Sequence, residues 1–228
     1  MKLIVVTHEK GGVAKTAVAL NMAAMAAKGL RTLLIEVDQM GTISDRLEVI
    51  KELGDEVPQP KFAFTKESRL QELEDLHSFL QDDFDIVIAD TPGNFENADR
   101  VKVLVEQADM VLIPTTPQND SLQPLGRFVA YCRTLGQNPR IVFTRVDARI
   151  RNVMIEAYTR IIDMPDLNVF ESIIREYKGA YDNSWNAGQI PATWDSYRVK
   201  SAREDIEALW AEIHAELFAD DVVAAGGE

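Results

Sequence analysis

The chain has 228 residues, 46% hydrophobic and 27% charged, proportions of a soluble globular protein that exclude a disordered, collagenous or disulfide-scaffold chain. Its 24 Lys and Arg against 37 Asp and Glu leave a formal net charge of −13, which taken whole argues against a protein that coats nucleic acid or an anionic membrane. A single cysteine, Cys132, permits no intrachain disulfide, and no apolar run reaches the roughly 18 residues of a membrane span, so a cytoplasmic protein is expected, with Cys132 a buried spectator.

The elements follow in chain order. Lys2 to Thr7 is an apolar run of the kind a parallel strand shows when both its faces are covered. A loop, Glu9-Lys10-Gly11-Gly12-Val13, leads into an alanine-rich helix predicted over Thr16 to Lys28 and stopped by Gly29. Leu33 to Val37 is a second strand, ending in Asp38. The periodicity then fades: a helix is predicted over Ile43 to Leu53, and Gly54, Pro58 and Pro60 mark a surface connection. Ser68 to Leu80 reads as a helix with Ser68 as N-cap, and Phe84 to Ala89 as a strand ending at Asp90. Further helices are expected over Ala98 to Glu106 and Leu122 to Leu135, and strands over Met110 to Pro114 and Arg140 to Thr144. After Asn152 come a helix to about Ile162, a short strand near Val169 and Phe170, an irregular stretch with Gly188 and Pro191, and a long helix from Ala202 to Phe218. Strands alternating with helices predict an α/β fold, a mostly parallel twisted sheet flanked by helices on both faces. One domain is expected over residues 1–218, followed by a short acidic tail, 219–228.

A glycine-rich loop between a strand and a helix, ending in Lys-Thr, is a phosphate cradle. The helix start offers unpaired N–H groups and partial positive charge, glycines let the backbone approach phosphate oxygens, the lysine adds full charge and the hydroxyl suits Mg²⁺. Lys15 and Thr16 fit those last two roles. The ordinary pattern G-x-x-x-x-G-K-[ST] fails, with Glu9 and Ala14 at the glycine positions; the variant K-G-G-x-x-K-[ST] fits as Lys10-Gly11-Gly12-Val13-Ala14-Lys15-Thr16.

Here the chain resembles the ParA/MinD family of deviant Walker-A ATPases, closest to the ParA-like partition ATPases. Leu33 to Gly41 resembles the family's second strand and its acidic motif, Phe84 to Pro92 its Walker-B strand, and Ala108 to Pro114 with the following Thr-Thr-Pro its next strand and turn. The resemblance spans about residues 1–150 and implies a P-loop fold, ATP and Mg²⁺ as ligands, and an ATP-dependent sandwich homodimer. It implies that Gly11, Gly12, Val13, Ala14, Lys15, Thr16 and Ala17 line the phosphates. Lys15 would bind the β- and γ-phosphates and Thr16 would ligate Mg²⁺. Lys10 would reach phosphates across the dimer, Asp38 would orient the attacking water, and Asp90 would hold Mg²⁺ directly or through water. Thr144 stands where the family's adenine-recognising strand usually ends in Asn. Ala14 replaces the usual glycine, so a positive φ there would cost on the order of 1 kcal/mol. Ala17 replaces a hydroxyl. His8, His77 and His214 are read as structural or surface groups.

The charge is uneven. Residues 1–126 carry 12 basic and 21 acidic side chains, residues 127–203 carry 12 and 8, and residues 204–228 carry none and 8. Family members bind DNA non-specifically as ATP dimers, so the +4 segment is the candidate surface, with Arg175, Lys178, Arg198, Lys200 and Arg203 its foremost members. The bland alternative is that these cations pair with the acidic tail or simply solvate a face.

The expected function is a slow, partner-stimulated ATPase that positions a plasmid, chromosome locus or other cargo. A DNA-bound or cargo-bound adaptor of ParB-like role would stimulate it, and the ATP form would be nucleoid-associated. The alternative is a catalytically weak nucleotide-gated adaptor, for example in conjugative DNA transfer. The membrane-anchored MinD branch uses a basic C-terminal amphipathic helix, unlike the acidic end here, so no membrane partner is expected.

Overall fold

The computed structural model describes residues 1–37, 41–53, 60–69, 73–93, 98–147, 149, 151–162, 167–177 and 179–219. Among these, seven strands, β1 (Lys2–Val6), β2 (Thr32–Glu36), β3 (Ala63–Lys66), β4 (Ile86–Asp90), β5 (Met110–Thr115), β6 (Arg140–Val146) and β7 (Asn168–Arg175), form one sheet in the order β3-β2-β4-β1-β5-β6-β7. Every pairing between them is parallel. The helices are α1 (Lys15–Ala26), α2 (Thr42–Glu52), α3 (Leu76–Leu80), α4 (Ala98–Gln107), α5 (Asn119–Thr134), α6 (Arg151–Ile162), α7 (Ala180–Asn186) and α8 (Lys200–Leu217).

Strand alternation sends successive side chains to opposite faces, and both faces are covered. Leu3 and Val5 of β1 join a core with Leu104 of α4, Leu125 and Val129 of α5 and Ile161 of α6. Ile4 and Val6 join the opposite core with Val18 and Met22 of α1, Ile43 of α2 and Leu209 and Ile213 of α8. The three-layer α/β fold expected from the sequence is therefore present. α1 is buried almost all round, which is why its alanines show no amphipathic stripe.

Some segments differ from the sequence reading. β3 has no counterpart among the predicted elements; it is a four-residue edge strand of exposed and half-buried side chains, too short and too polar for a core-strand pattern. In the predicted helix over Ser68 to Leu80, Ser68 lies in a single 3₁₀ turn, Glu67–Arg69, and residues 70–72 lie outside the described residues. The regular helix starts at Leu76, and its N-cap is Asp75, whose carboxylate accepts the Ser78 N–H at 3.2 Å; a charged acceptor suits a helix start. β7 runs for eight residues, because its register against β6 shifts twice and its half-buried Ser172 and exposed Glu171 interrupt the apolar run. α7, too short for periodicity, fills some of the stretch read as irregular.

That stretch is tied to the first helix by one buried amide. Asn21 of α1 donates to the Ala17 carbonyl (2.7 Å) and its Oδ1 accepts the Ala192 N–H (2.9 Å). Asn21→Leu would keep the bulk and leave the Ala192 N–H without that acceptor, so it is expected to lower unfolding free energy by about 1–3 kcal/mol in denaturant titration. An unchanged midpoint would show that the tie contributes nothing.

Candidate active site

β1 lies at the centre of the sheet between β4 and β5, and its C-terminal end is where open parallel sheets place ligands. The chain leaves it at Thr7, whose N–H donates to Leu112 on β5 (3.0 Å), and crosses residues 8–14 before α1 begins at Lys15. Two backbone conformations shape this loop. Gly12 has φ 78°, and Ala14, the N-cap of α1, has φ 66° and ψ 26° in the left-handed region. The strain expected at Ala14 is therefore real. The Lys15 ammonium folds back over the loop to donate to the Lys10 carbonyl (3.0 Å), and the residue is almost fully buried.

The loop is braced from beneath and from the side. Thr144, fully buried on β6, has its hydroxyl within hydrogen-bonding reach of the Val13 carbonyl (2.9 Å) and the Thr115 carbonyl (3.2 Å). It supports the loop from below. Arg145, itself at φ 52°, donates to the Gly12 carbonyl (3.0 Å) and pairs with Glu176 (3.1 Å). Gly93, just after β4, approaches from the opposite side: a Cβ there would lie 2.9 Å from both the Gly11 Cα and the Lys15 Nζ. Motif reading finds neither Arg145 nor Gly93, because an arginine in the left-handed region and a glycine past the Walker-B-like strand carry no local pattern.

The acids converge on the same sheet edge. Asp90 ends β4 almost fully buried, in register with Val6 of β1 and Glu36 of β2. Thr16, partly exposed, stands in the first turn of α1. Asp38 lies outside the described residues, but the Val37 N–H just before it donates to the Asp90 carbonyl (2.9 Å). Glu36, buried, has its Oε1 2.7 Å from the Ile43 N–H and 3.4 Å from the Ser44 N–H, so it holds the N-terminus of α2. Lys10 sits at the rim, its ammonium paired with Asp120 and donating to Ser121 Oγ (3.3 Å) at the start of α5. Hydrogen bonding to Lys10 holds the exposed Asp120 carboxyl below its usual range. Ala17 and Ala14 border a cavity of about 460 Å³ whose other walls include Ile174, Glu176, Tyr177 and Tyr181.

Of the remaining sequence-named residues, Arg175 also lines the cavity beside Ala14 and Ala17. Cys132 is buried, and burial pushes its thiol up to about 12, as a spectator requires. His77 bonds the Gln107 carbonyl, and His214 stacks on Phe218. Arg175 is locked by Asp205, which also accepts its backbone N–H (2.9 Å). Arg203 pairs with Asp195 and Glu207, and Lys200 approaches Glu204 at 4.0 Å. Arg198 is exposed and lies over the Tyr197 ring; Lys178 is outside the described residues.

The geometry at Ala14 has a direct consequence. Ala14→Gly removes the Cβ from a left-handed position and is expected to raise unfolding free energy by about 1 kcal/mol. A loss of stability on denaturant titration would contradict the assignment.

Known proteins share both the sequence and the shape. The model of the CobQ/CobB/MinD/ParA nucleotide-binding domain matches residues 4–183. A "maintenance of carboxysome distribution protein A" from Gloeobacter kilaueensis is 31% identical over 221 residues, 96% of this chain and 95% of the relative. The MinD cell division protein of Aquifex aeolicus superposes with a TM-score of 0.70 at 20% identity, covering 90% of this chain and 94% of that one. A Cyanothece McdA–ATP complex does so with a TM-score of 0.69 at 18% identity, covering 92% and 96%. A braced glycine loop at the head of a buried helix and a domain-wide sequence match lead to the same conclusion: this chain belongs to the CobQ/CobB/MinD/ParA nucleotide-binding family.

Proposed function

We propose that the protein is a ParA-like positioning ATPase: it binds MgATP, dimerises around it, hydrolyses it slowly and distributes a cargo with the help of an adaptor protein. The observation that carries this reading is the convergence of Lys15, the left-handed Ala14 and the buried Asp90 around one loop, with a second lysine at its rim. The Gloeobacter relative is a carboxysome-distribution protein and the Cyanothece neighbour holds ATP, which supports both the positioning role and the nucleotide.

In this reading the triphosphate lies on the loop, with Lys15 on its β- and γ-phosphates and the nucleoside in the cavity beside Ala14 and Ala17. Thr144 holds the loop for it. Thr16 and Asp90 offer a hydroxyl and a carboxylate, hard oxygen donors that fit Mg²⁺. When bound, Mg²⁺ neutralises phosphate charge. Asp38 orients the attacking water. Lys10 exchanges Asp120 for the phosphates of the partner copy, supplying charge as an arginine finger does. DNA contact rests on Arg198 and Lys200, the exposed ones among the described foremost candidates, Arg175, Arg198, Lys200 and Arg203.

Mg²⁺-dependent ATP turnover of the unmodified chain is the test. Lys15→Ala is expected to abolish binding. Asp38→Ala is expected to retain binding and stop hydrolysis, and Lys10→Ala to retain binding with turnover lowered on the order of 10³-fold. A chain that binds no ATP overturns the proposal, and one that binds without turning over selects the nucleotide-gated adaptor instead. For DNA, Arg198→Glu with Lys200→Glu should abolish a salt-sensitive, ATP-dependent shift of non-specific duplex. A shift equal with ATP and ADP would remove DNA from the cycle.

A further inference from the structure

His8 is fully buried at the foot of the loop and belongs to none of the steps above. Its Nδ1 accepts the Lys10 backbone N–H at 2.9 Å. The same Lys10 residue offers its carbonyl to the Lys15 ammonium at 3.0 Å and carries the rim ammonium held by Asp120. One imidazole nitrogen thus anchors the residue through which both lysines are oriented. The geometry points to His8 as the positioning residue of the phosphate loop, its neutral ring holding the Lys10 peptide so that Lys15 and Lys10 are presented together.

Two observations separate this from ordinary packing. With Nδ1 accepting, the ring proton sits on Nε2, and Nε2 is buried with no hydrogen-bond partner among the described residues. A ring chosen only to fill space would not leave such a donor stranded, so the arrangement favours the acceptor side. The opposite wall is the Phe128 ring of α5, 5.8 Å away between centroids, which supplies an apolar surface and no acceptor.

The environment also keeps the ring neutral. Burial, then the charges of Lys15 and Lys10, pull its pKa from 6.5 down to about 4. The charged groups facing it are those two ammoniums; from α5 come Phe128 and, through Lys10, Asp120, while Glu9 next to it turns toward Arg127 at 4.0 Å. Because the folded-state value lies below the unfolded one, the contribution is complete above about pH 6.5 and is lost as pH falls toward 4. Protonation would replace the acceptor with a third positive charge.

The inference rests on the proposed ATPase reading for its consequence but not for its geometry, and the experiment has an arm for each. The full chain is compared with His8→Asn, whose side-chain carbonyl can accept the N–H two residues on, and with His8→Leu, which retains apolar bulk against Phe128 without an acceptor. The first measurement is amide exchange at Lys10 without nucleotide. Protection should persist in the unmodified chain and His8→Asn, fall at least 10-fold in His8→Leu, and fall in the unmodified chain alone as pH drops below about 5. The second is ATP affinity, expected within about threefold for His8→Asn and at least 10-fold weaker for His8→Leu. Equal Lys10 protection in all three proteins overturns the inference, as does His8→Asn behaving like His8→Leu. Should His8→Leu fail to fold, the pH dependence of the unmodified chain against His8→Asn still decides it. A chain that binds no ATP defeats the ATPase reading and leaves the exchange arm to judge His8.

Discussion

β1 is hydrogen-bonded in parallel to β4 on one side and β5 on the other, and a strand in that position cannot turn back through a hairpin. Its chain must leave over the top of the sheet and return along a face as a helix. That single constraint sets the loop over the ends of the central strands, with Asp90 at the end of β4 and Thr144 of β6 beneath it. It also turns the first residues of α1, with their unpaired N–H groups, toward the place where the acids gather. Side chains keep this loop where the topology puts it, with His8 within it, Thr144 below and Arg145 beside, and the bare backbone of Gly93 lies close against it.

The charge distribution has a structural reason that its sum conceals. The acidic residues of α8 act largely as internal counter-ions: Glu216 meets Arg140, Asp205 locks Arg175, and Glu207 approaches Arg203 and Lys28. Asp205, besides holding the Arg175 guanidinium, captures the backbone of β7 and the hydroxyl of Tyr177. The C-terminal helix is therefore attached to the edge of the sheet by ionic as well as apolar contacts, and most of the basic segment carries less free charge than its composition implies. What reads along the chain as a positive strip between two negative regions folds largely into ion pairs.

How much could be read in advance follows from the range of each interaction. Central strands and the buried first helix declared themselves, because burial on both faces leaves continuous apolar runs and alanine-rich helices. The loop was legible because its glycines and lysines are contiguous. β3 and α7 were not, being four and seven residues long without a sustained period. The braces were hidden for a different reason. Arg145 meets Gly12 across 133 positions and Thr144 meets Val13 across 131, and nothing local at either residue marks such a contact. Ser68 yields the cap to Asp75 although both residues are ordinary helix starters; each lies in a 3₁₀ turn, and the turn ending at Asp75 runs directly into α3. Glu36, which lies within the predicted second strand, is the acceptor for the start of α2 and links that helix to the sheet.

Ala14 and Arg145 are the non-glycine residues with positive φ among those described; the first belongs to the loop and the second donates to it at Gly12. An unfolded chain rarely visits that conformation at either position, so the cradle has almost no existence apart from the sheet that enforces it. Its order is acquired during folding and not when a ligand arrives. Opening the β6 end of the sheet, even locally, would therefore dissolve the loop in the same step, making loop integrity and sheet integrity one cooperative unit.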